Sequence, residues 1–159
     1  MKAIIILLAT LACCMQVKSQ PAPADAILGT WLTGSKKAHV EIFEDKDQYF
    51  GKIVWLRNPL NDEGRPKIDK KNPEESLQKR PLLGMLNLTN FDFENGAYAG
   101  GKIYDPETGK TYSCHMRLKD PDNLDVRGYI GISRIGRTDV WFRVKEAGGG
   151  GLHIPRFDK

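Results

Sequence analysis

The feature that most constrains the fold of this chain is an alternation of apolar and polar residues along several short segments. The clearest case is residues 111–118, where the apolar set is Tyr112, Cys114, Met116 and Leu118. Successive side chains of a β-strand point to opposite faces, so this alternation predicts a strand with one buried face. The same spacing predicts strands at 38–42, 124–130 and 140–144, and at 49–57 with apolar residues on both faces.

Turn-forming residues separate these segments. Asp105-Pro-Glu-Thr-Gly109 and Asp120-Pro-Asp-Asn123 place proline and small polar residues where tight turns favour them. Connections this short cannot hold the crossover helices of a parallel sheet. The sequence therefore predicts an all-β meander of antiparallel strands that closes as a sandwich or a barrel.

The N-terminus has the layout of a secretory signal. Lys2 precedes an apolar run from Ala3 to Ala12, and Val17 and Ser19 fit the positions before a cleavage site. The predicted organisation is a signal peptide at 1–19, a linker at 20–26, a β-domain at 27–147 and a Gly-rich tail at 148–159. This organisation predicts an exported protein, either periplasmic or secreted.

A lipid anchor is the second interpretation of the N-terminus. Leu11-Ala12-Cys13-Cys14 resembles a bacterial lipoprotein box in which Cys14 would carry the lipid. We favour the signal peptide because Cys13 occupies a position that normally holds Gly or Ala. The apolar run is also too short to span a membrane, which takes about 20 apolar residues.

Composition excludes several classes of protein. Cys13 and Cys14 fall in the signal, so Cys114 remains alone and can form neither an intramolecular disulfide nor a thiolate zinc cluster. Lys2 and Lys18 also fall there, which lowers the net charge from +4 to +2 and leaves no clustered basic face for nucleic acid. We expect no metal and no cofactor, because three scattered histidines offer no paired-ligand spacing.

One long polar segment, residues 58–81, interrupts the strand pattern. Loops of this length in compact domains are often lids or binding loops, and a mobile surface insertion is the alternative. Within the segment, Ser76-Leu-Gln-Lys79 can form one helical turn. After it, Leu82–Leu88 resumes an apolar pattern that predicts another strand.

Catalytic motifs are missing from the sequence. There is no Gly-x-Ser-x-Gly elbow, and the adjacent Cys114 and His115 point to opposite faces of a strand. We therefore predict that the protein is not an enzyme. The least favoured alternative is a hydrolase or isomerase that would use His39 or His115 with Arg127 inside a barrel.

Aromatic residues are spread along the strands, which suits a ligand cavity as well as a packed core. The segment RGYIGISRIGRT, residues 127–138, adds three arginines and three glycines. The flanks of this segment are strands and not a helix N-terminus, so we predict a bent strand and a hairpin turn in which Arg127 and Arg137 close or gate a barrel. The predicted ligand-binding residues are Trp31, Tyr49, Trp55, Tyr98, Tyr112, Arg127, Tyr129, Arg137 and Trp141.

Several longer stretches resemble a known family. They are YFGKIVWLRNP (49–59), QKRPLLGM (78–85), GGKIYDPETGKTY (100–112), LDVRGYIGISRIGRT (124–138) and VWFRV (140–144), together with Gly29-Thr-Trp31. The chain resembles the bacterial secreted family catalogued as domain of unknown function 2147. The resemblance implies a lipocalin-like antiparallel barrel of about eight strands, and it supplies no enzymatic activity.

Together, these observations predict an exported β-barrel protein that binds a small apolar or amphipathic ligand in its interior. The alternative is an envelope structural or protein-interaction module with a solid core, for which residues 58–81 would form the contact surface. The volume and the lining of the barrel interior distinguish the two.

Overall fold

The computed structural model describes residues 24–132 and 134–145. The signal peptide, most of the linker and the Gly-rich tail lie outside these ranges, as does the candidate lipid anchor at Cys14. These assignments therefore stay predictions.

Nine β-strands and two short 3-10 helices form the regular structure of the described residues. The strands are β1 (Gly29–Leu32), β2 (Ala38–Asp45), β3 (Gln48–Leu56), β4 (Leu86–Glu94), β5 (Ala97–Ala99), β6 (Lys102–Asp105), β7 (Lys110–Asp120), β8 (Asn123–Tyr129) and β9 (Gly136–Arg143). The 3-10 helices are Asp25–Ile27 and Glu75–Leu77.

The strands form one closed antiparallel barrel. The sheet closes because β3 pairs with β4 as well as with β2, and β1 pairs with β9. β5 and β6 both lie between β4 and β7, so they form one wall strand interrupted at Gly100 and Gly101. A Cβ on Gly101 would come within 2.4 Å of the Phe91 ring, so the interruption requires glycine. The wall thus has eight positions, which confirms the predicted fold class.

One predicted strand begins later than expected. The apolar pattern predicts a strand over Leu82–Leu88, but β4 starts at Leu86. The preceding residues form a turn held to β3, where Gly84 N–H donates to the Ile53 oxygen at 2.7 Å. This turn requires a positive φ of 87° at Gly84, which glycine adopts without steric cost. The helical turn predicted at Ser76–Lys79 is the 3-10 helix at Glu75–Leu77.

Residues 127–138 form the hairpin that the sequence predicts. β8 ends at Tyr129, which pairs with Gly136 at the start of β9. A Cβ on Gly136 would lie 2.5 Å from the backbone oxygen of Gly128, so this position needs glycine. The Gly-rich basic run is therefore a strand connection and not a phosphate-binding loop before a helix.

The hydrophobic core fills the inside of the barrel and follows the predicted alternation. On β7, Cys114 and Met116 are buried, and on β8 their partners across the sheet include Val126. Other strands contribute in the same way, so the largest buried side chains are Trp31, Tyr98, Phe91, Ile27, Ile42, Leu88, Met116 and Leu124. One face of each of these strands thus packs into a shared interior.

Candidate functional site

One end of the barrel is closed by residues 24–28, and we call it the sealed end. Trp31 Nε1–H donates to the Ile27 carbonyl oxygen at 2.8 Å. The Tyr98 hydroxyl donates to the Ala24 carbonyl oxygen at 2.7 Å. Burial raises the pKa of Tyr98, so the hydroxyl keeps its proton and stays a donor.

Arg143, at the end of β9, completes the sealed end. Its guanidinium carbon lies 4.2 Å from the centroid of the Trp31 ring. The Nη atoms donate to the carbonyl oxygens of Leu28 at 2.9 Å and Ala26 at 2.6 Å. A cation over an aromatic face, combined with hydrogen bonds to the N-terminal segment, ties the first and last strands together.

The half of the interior next to the sealed end is packed with side chains. Trp31, Phe91 and Met116 have no exposed surface. The rings of Tyr49 and Tyr98 meet edge to face with their centroids 5.0 Å apart. Close packing of this kind leaves few voids larger than a water molecule, so this half is core.

The opposite end of the barrel, which we call the mouth, is less completely filled. Ile103 and Tyr112 are paired across β6 and β7 on the interior face, and both are half-buried. Gly128 lies beside them, and a Cβ there would sit 3.5 Å from Ile103 Cγ2 and 3.6 Å from Tyr112 Cβ. Gly128 therefore contributes no side chain to the interior at this level, and a Cβ there would make ordinary van der Waals contacts. We call these three residues, with Leu56 and Arg137, the mouth recess.

Arg137 brings a positive charge to the mouth. It pairs with Gly128 across β8 and β9, and its side chain is exposed. Two residues further along the same face, Asp139 accepts hydrogen bonds from Gly34 N–H at 3.2 Å and from Trp141 Nε1–H at 2.9 Å. Asp139 therefore holds the β1–β2 turn against β9, while Arg137 faces solvent at the rim.

The nine predicted ligand-binding residues do not meet in one site. Trp31, Tyr49, Tyr98 and Trp141 belong to the packed core, and none is more than 4% exposed. Tyr112 and Arg137 lie in the mouth recess. The remaining three residues lie on the outer face of the barrel.

Trp55 faces outward because of a β-bulge. The register of β2 and β3 shifts between His39 and Val40, so that Val40 opposes Ile53 while His39 opposes Trp55. Val40 is a core residue, and its neighbour His39 therefore points away from the interior together with Trp55. The two rings lie 4.4 Å apart between centroids.

Arg127 and Tyr129 alternate with the interior residues of β8 and so face outward. Arg127 opposes His115 on β7 and donates to Thr138 Oγ1 at 3.0 Å. These side chains border a cleft of about 270 Å³ on the outer wall, together with Arg117 and Asp125. Burial, followed by the charges of Arg127 and Arg117, lowers the pKa of His115.

These positions decide the enzymatic alternative. A hydrolase or isomerase of the predicted kind needs His39 or His115 to meet Arg127 inside the barrel. All three side chains lie on the outer face, so that alternative is wrong.

The long segment 58–81 is anchored to the outer wall by Asp69. This carboxylate has no exposed surface and accepts hydrogen bonds from the Tyr104 hydroxyl at 2.6 Å, Asn72 Nδ2 at 2.7 Å and Arg80 Nε at 2.9 Å. Burial alone would raise the pKa of Asp69, but these bonds and the Arg80 charge outweigh burial and lower it. Burial and Asp69 raise the pKa of Tyr104 to about 12. The contacts disfavour a mobile insertion.

A second cleft, of about 240 Å³, lies between this segment and the outer wall. Asn87 lines it and is 7% exposed, and its Oδ1 has no hydrogen-bond partner within the described part of the chain. Leu77 and Leu86 supply apolar surface, and Lys102 supplies a charge. Both clefts therefore lie outside the barrel, whereas the residues of the mouth recess belong to its interior face.

The family described as "Uncharacterized protein conserved in bacteria" (DUF2147) matches residues 29–143. The chain belongs to this family. The match runs from the first residue of β1 to the last residue of β9, so the DUF2147 domain includes every strand of the barrel. A comparison with curated proteins finds no match in sequence.

Among solved structures, the DUF2147 chain is similar to protein HP1028 from the human pathogen Helicobacter pylori, described as belonging to the lipocalin family. The two are 25% identical with a TM-score of 0.65, over 75% of this chain and 83% of that chain. This similarity confirms the lipocalin-like barrel that the sequence resemblance implies.

Two further observations concern the described part of this DUF2147 protein. Within residues 24–132 and 134–145, no helix has the length and apolar character needed to cross a membrane. Within the same ranges, no three His, Cys, Asp or Glu side chains are grouped so that they could hold a metal ion.

Sequence reasoning missed Gly128, Ile103 and Leu56 as members of the mouth recess. A signal was present for Gly128, because it alternates with Val126 on the core face of β8. Gly128 was not selected because the predicted ligand contacts are aromatic residues and arginines, and a glycine has no side chain to offer. Asp69 was also missed, since it lies in the charged run KIDKK, where nothing in the pattern separates a buried carboxylate from solvated ones.

Proposed function

We propose that this DUF2147 protein is an exported carrier that binds one small amphipathic ligand in the mouth recess. The observation that carries the proposal is the change in packing along the barrel. Trp31, Phe91 and Met116 towards the sealed end have no exposed surface, whereas Ile103, Tyr112 and Gly128 at the mouth are half-buried. The lipocalin-like fold supports the proposal, because small barrels can hold one small ligand.

The recess suits a ligand with an apolar part and an anionic group. Ile103, Tyr112 and Leu56 offer apolar surface, and Arg137 is exposed at the rim. Binding sites of this kind combine apolar walls with a few polar groups that fix orientation. The ligand must be small, because the packed core limits how far it can enter.

Filling the recess tests the proposal. The contacts of 3.5 and 3.6 Å that a Cβ would make mean that Gly128→Ala fits without strain and is the matched control for Gly128→Leu. The probe is 1-anilinonaphthalene-8-sulfonate, which joins apolar rings to a sulfonate. We expect Gly128→Ala to bind like the wild type and Gly128→Leu to bind at least about tenfold more weakly. Equal binding by both variants, at unchanged thermal midpoints, would rule out the recess.

The charge of Arg137 is tested separately. Arg137→Gln is expected to weaken binding of the sulfonate probe by about fivefold, which corresponds to roughly 1 kcal/mol for an exposed charge pair. Binding of the neutral analogue N-phenyl-1-naphthylamine should be unchanged. A similar loss for both probes would assign the effect to shape and not to charge.

Export is the second part of the proposal, and the layout of residues 1–19 supports it. N-terminal sequencing of the protein recovered from the cell envelope is expected to begin at Gln20. A lipid-modified Cys14 at the N-terminus would contradict cleavage before Gln20 and would mean that the carrier is anchored to a membrane by its lipid.

The packed half of the interior favours one rival, an interaction module without a cavity. The same titration separates the two functions. A wild-type chain that binds neither probe, while its thermal unfolding remains cooperative, supports the module and contradicts the carrier.

A further inference from the structure

The tip of the β8–β9 hairpin is the most apolar exposed loop of the described residues. Tyr129 and Gly136 form the last strand pair, so the described residues 130–132 and 134–135 belong to the tip. Ile130, Ile132 and Ile135 are 68%, 62% and 69% exposed. Large apolar side chains that are clustered and solvent-exposed mark interaction surfaces in soluble proteins.

A backbone hydrogen bond holds two of these isoleucines in one turn. Ile135 N–H donates to the Ile132 carbonyl oxygen at 3.0 Å, which closes a four-residue turn. At the base of the tip, Arg127 donates from Nη2 to the Arg134 carbonyl oxygen at 3.3 Å and from Nη1 to Thr138 Oγ1 at 3.0 Å. The apolar side chains are thus presented on a braced hairpin.

The charged residues within 127–138 are of one sign. Residues 127–138 contain three arginines and no acidic residue, and Arg134 and Arg137 are exposed. The next residue, Asp139, is engaged with Gly34 N–H and Trp141 Nε1–H. The bond to Gly34 also brings the β1–β2 turn, with the exposed Lys36, to the same end of the barrel.

We propose that the hairpin tip docks on the surface of a bilayer that contains anionic lipids. Ile130, Ile132 and Ile135 enter the apolar boundary, and Arg134 and Arg137 contact the headgroup phosphates. This combination of apolar and basic side chains is the one that interfacial membrane binding uses.

The size of the tip favours a bilayer over a protein partner. A stable protein interface buries roughly 800 Å² on each side, which a six-residue tip does not provide. A bilayer accepts a narrow insertion, and its anionic headgroups match the arginines. Since Gly128 and Arg137 lie at the base of the same hairpin, docking would place the mouth recess next to the lipid surface.

The test is co-sedimentation with vesicles. Each variant is purified with the same N-terminus, checked by intact mass, and mixed with vesicles of phosphatidylcholine or of equimolar phosphatidylcholine and phosphatidylglycerol. We expect the wild type to bind the mixed vesicles and to be released by salt, because screening weakens exposed charge interactions. The triple variant Ile130→Ser, Ile132→Ser, Ile135→Ser is expected to bind at least tenfold more weakly.

Two exposed leucines, one in the long segment and one in the turn before β4, provide the matched control. Leu60 and Leu83 are 50% and 51% exposed, so Leu60→Ser with Leu83→Ser removes exposed apolar surface elsewhere. This variant should bind vesicles like the wild type. Arg134→Gln should weaken binding to the mixed vesicles about fivefold, the equivalent of one basic side chain near an anionic surface. Thermal midpoints close to the wild type would show that the changes leave the barrel folded.

Several results would overturn the proposal. They are unchanged binding by the triple variant, an equal loss in the leucine control, or wild-type binding that is indifferent to anionic lipid. If the wild type is a dimer in analytical ultracentrifugation, the triple variant is a monomer and neither binds vesicles, the tip would be assigned to contact with a second copy of the chain. Gly128→Leu distinguishes this proposal from the carrier, since it should keep vesicle binding even where it loses the ligand.

Discussion

The sealed end and the mouth belong to the same eight-position barrel, but different chemistry completes each of them. At the sealed end, Trp31, Tyr98 and Arg143 each donate hydrogen bonds to carbonyl oxygens of residues 24–28. At the mouth, the interior positions include Gly128, and their side chains are half-exposed. The difference separates an end that is closed by hydrogen bonds to the N-terminal segment from an end whose interior-facing residues are only half-buried.

The largest effect is expected from removing the central side chain of the sealed end. Trp31→Ala should reduce the free energy of unfolding by about 3–5 kcal/mol, because it leaves a cavity under the Arg143 guanidinium. Tyr112→Ala at the mouth should cost only about 1 kcal/mol, since its side chain is already half-exposed. Urea unfolding followed by circular dichroism measures both. Equal losses would show that the two ends do not differ in the way that their packing indicates.

The fold was predictable because its signals are local. The alternation in residues 111–118 and the Asp-Pro turns specify strands and their direction without any knowledge of distant contacts. The outward position of Trp55 was not predictable, because it depends on a register shift between β2 and β3. A bulge inverts the face of every later residue in a strand, so simple alternation from Ile53 places Trp55 on the wrong side.

The candidate site was less predictable for a related reason. Aromatic residues are attractive as ligand contacts, but Trp31 and Tyr98 have polar atoms that find carbonyl partners and thereby become part of the core. Which aromatic residues pack and which line an opening depends on how the ends of the barrel are closed. That closure involves residues 24–28, which are far in sequence from most of the strands they cover.

The next effect concerns acid stability outside both ends of the barrel. The pKa of Asp69 is lowered from its ordinary value of 3.8, so its contribution is present above that pH and is lost as pH falls through the lower folded value. Asp69→Asn should cost about 1–3 kcal/mol at pH 7, because Arg80 and Tyr104 lose a charged acceptor. The stability of the Asp69→Asn variant should also fall less steeply than that of the wild type below pH 4. Urea unfolding at several pH values checks both expectations.

An exposed carboxylate of the same segment provides the control for Asp69. Asp62→Asn should leave the unfolding free energy within about 0.5 kcal/mol of the wild type at pH 7, because the side chain is exposed. If the two variants behave alike, residues 58–81 are not anchored through Asp69.

The rate at which the Cys114 thiol reacts with a reagent tests how far the mouth extends into the barrel. Cys114 pairs with Gly128, and burial raises its pKa to about 12, so it should react very slowly with a thiol reagent in the native chain. In a chain with Cys13→Ser and Cys14→Ser, Tyr112→Ala should speed labelling roughly tenfold by easing local opening. A rate that rises only in proportion to global unfolding would mean that Cys114 belongs to the sealed half.

The smallest effect is expected on the outer wall, at His115. Burial and then the charges of Arg127 and Arg117 lower its pKa below 6.5, so its contribution to stability is full above 6.5 and declines as pH falls toward the folded value. Arg127→Gln should raise the pKa of His115 by less than about one unit, whereas Arg127→Lys, which keeps the charge, should change it less. Nuclear magnetic resonance titration of the imidazole protons gives these values directly.

His39 serves as the internal reference, because burial lowers its pKa and Arg127 has no part in that shift. If His115 alone responds, the Arg127 charge acts locally on its cross-strand neighbour, and an equal response of His39 would contradict this assignment.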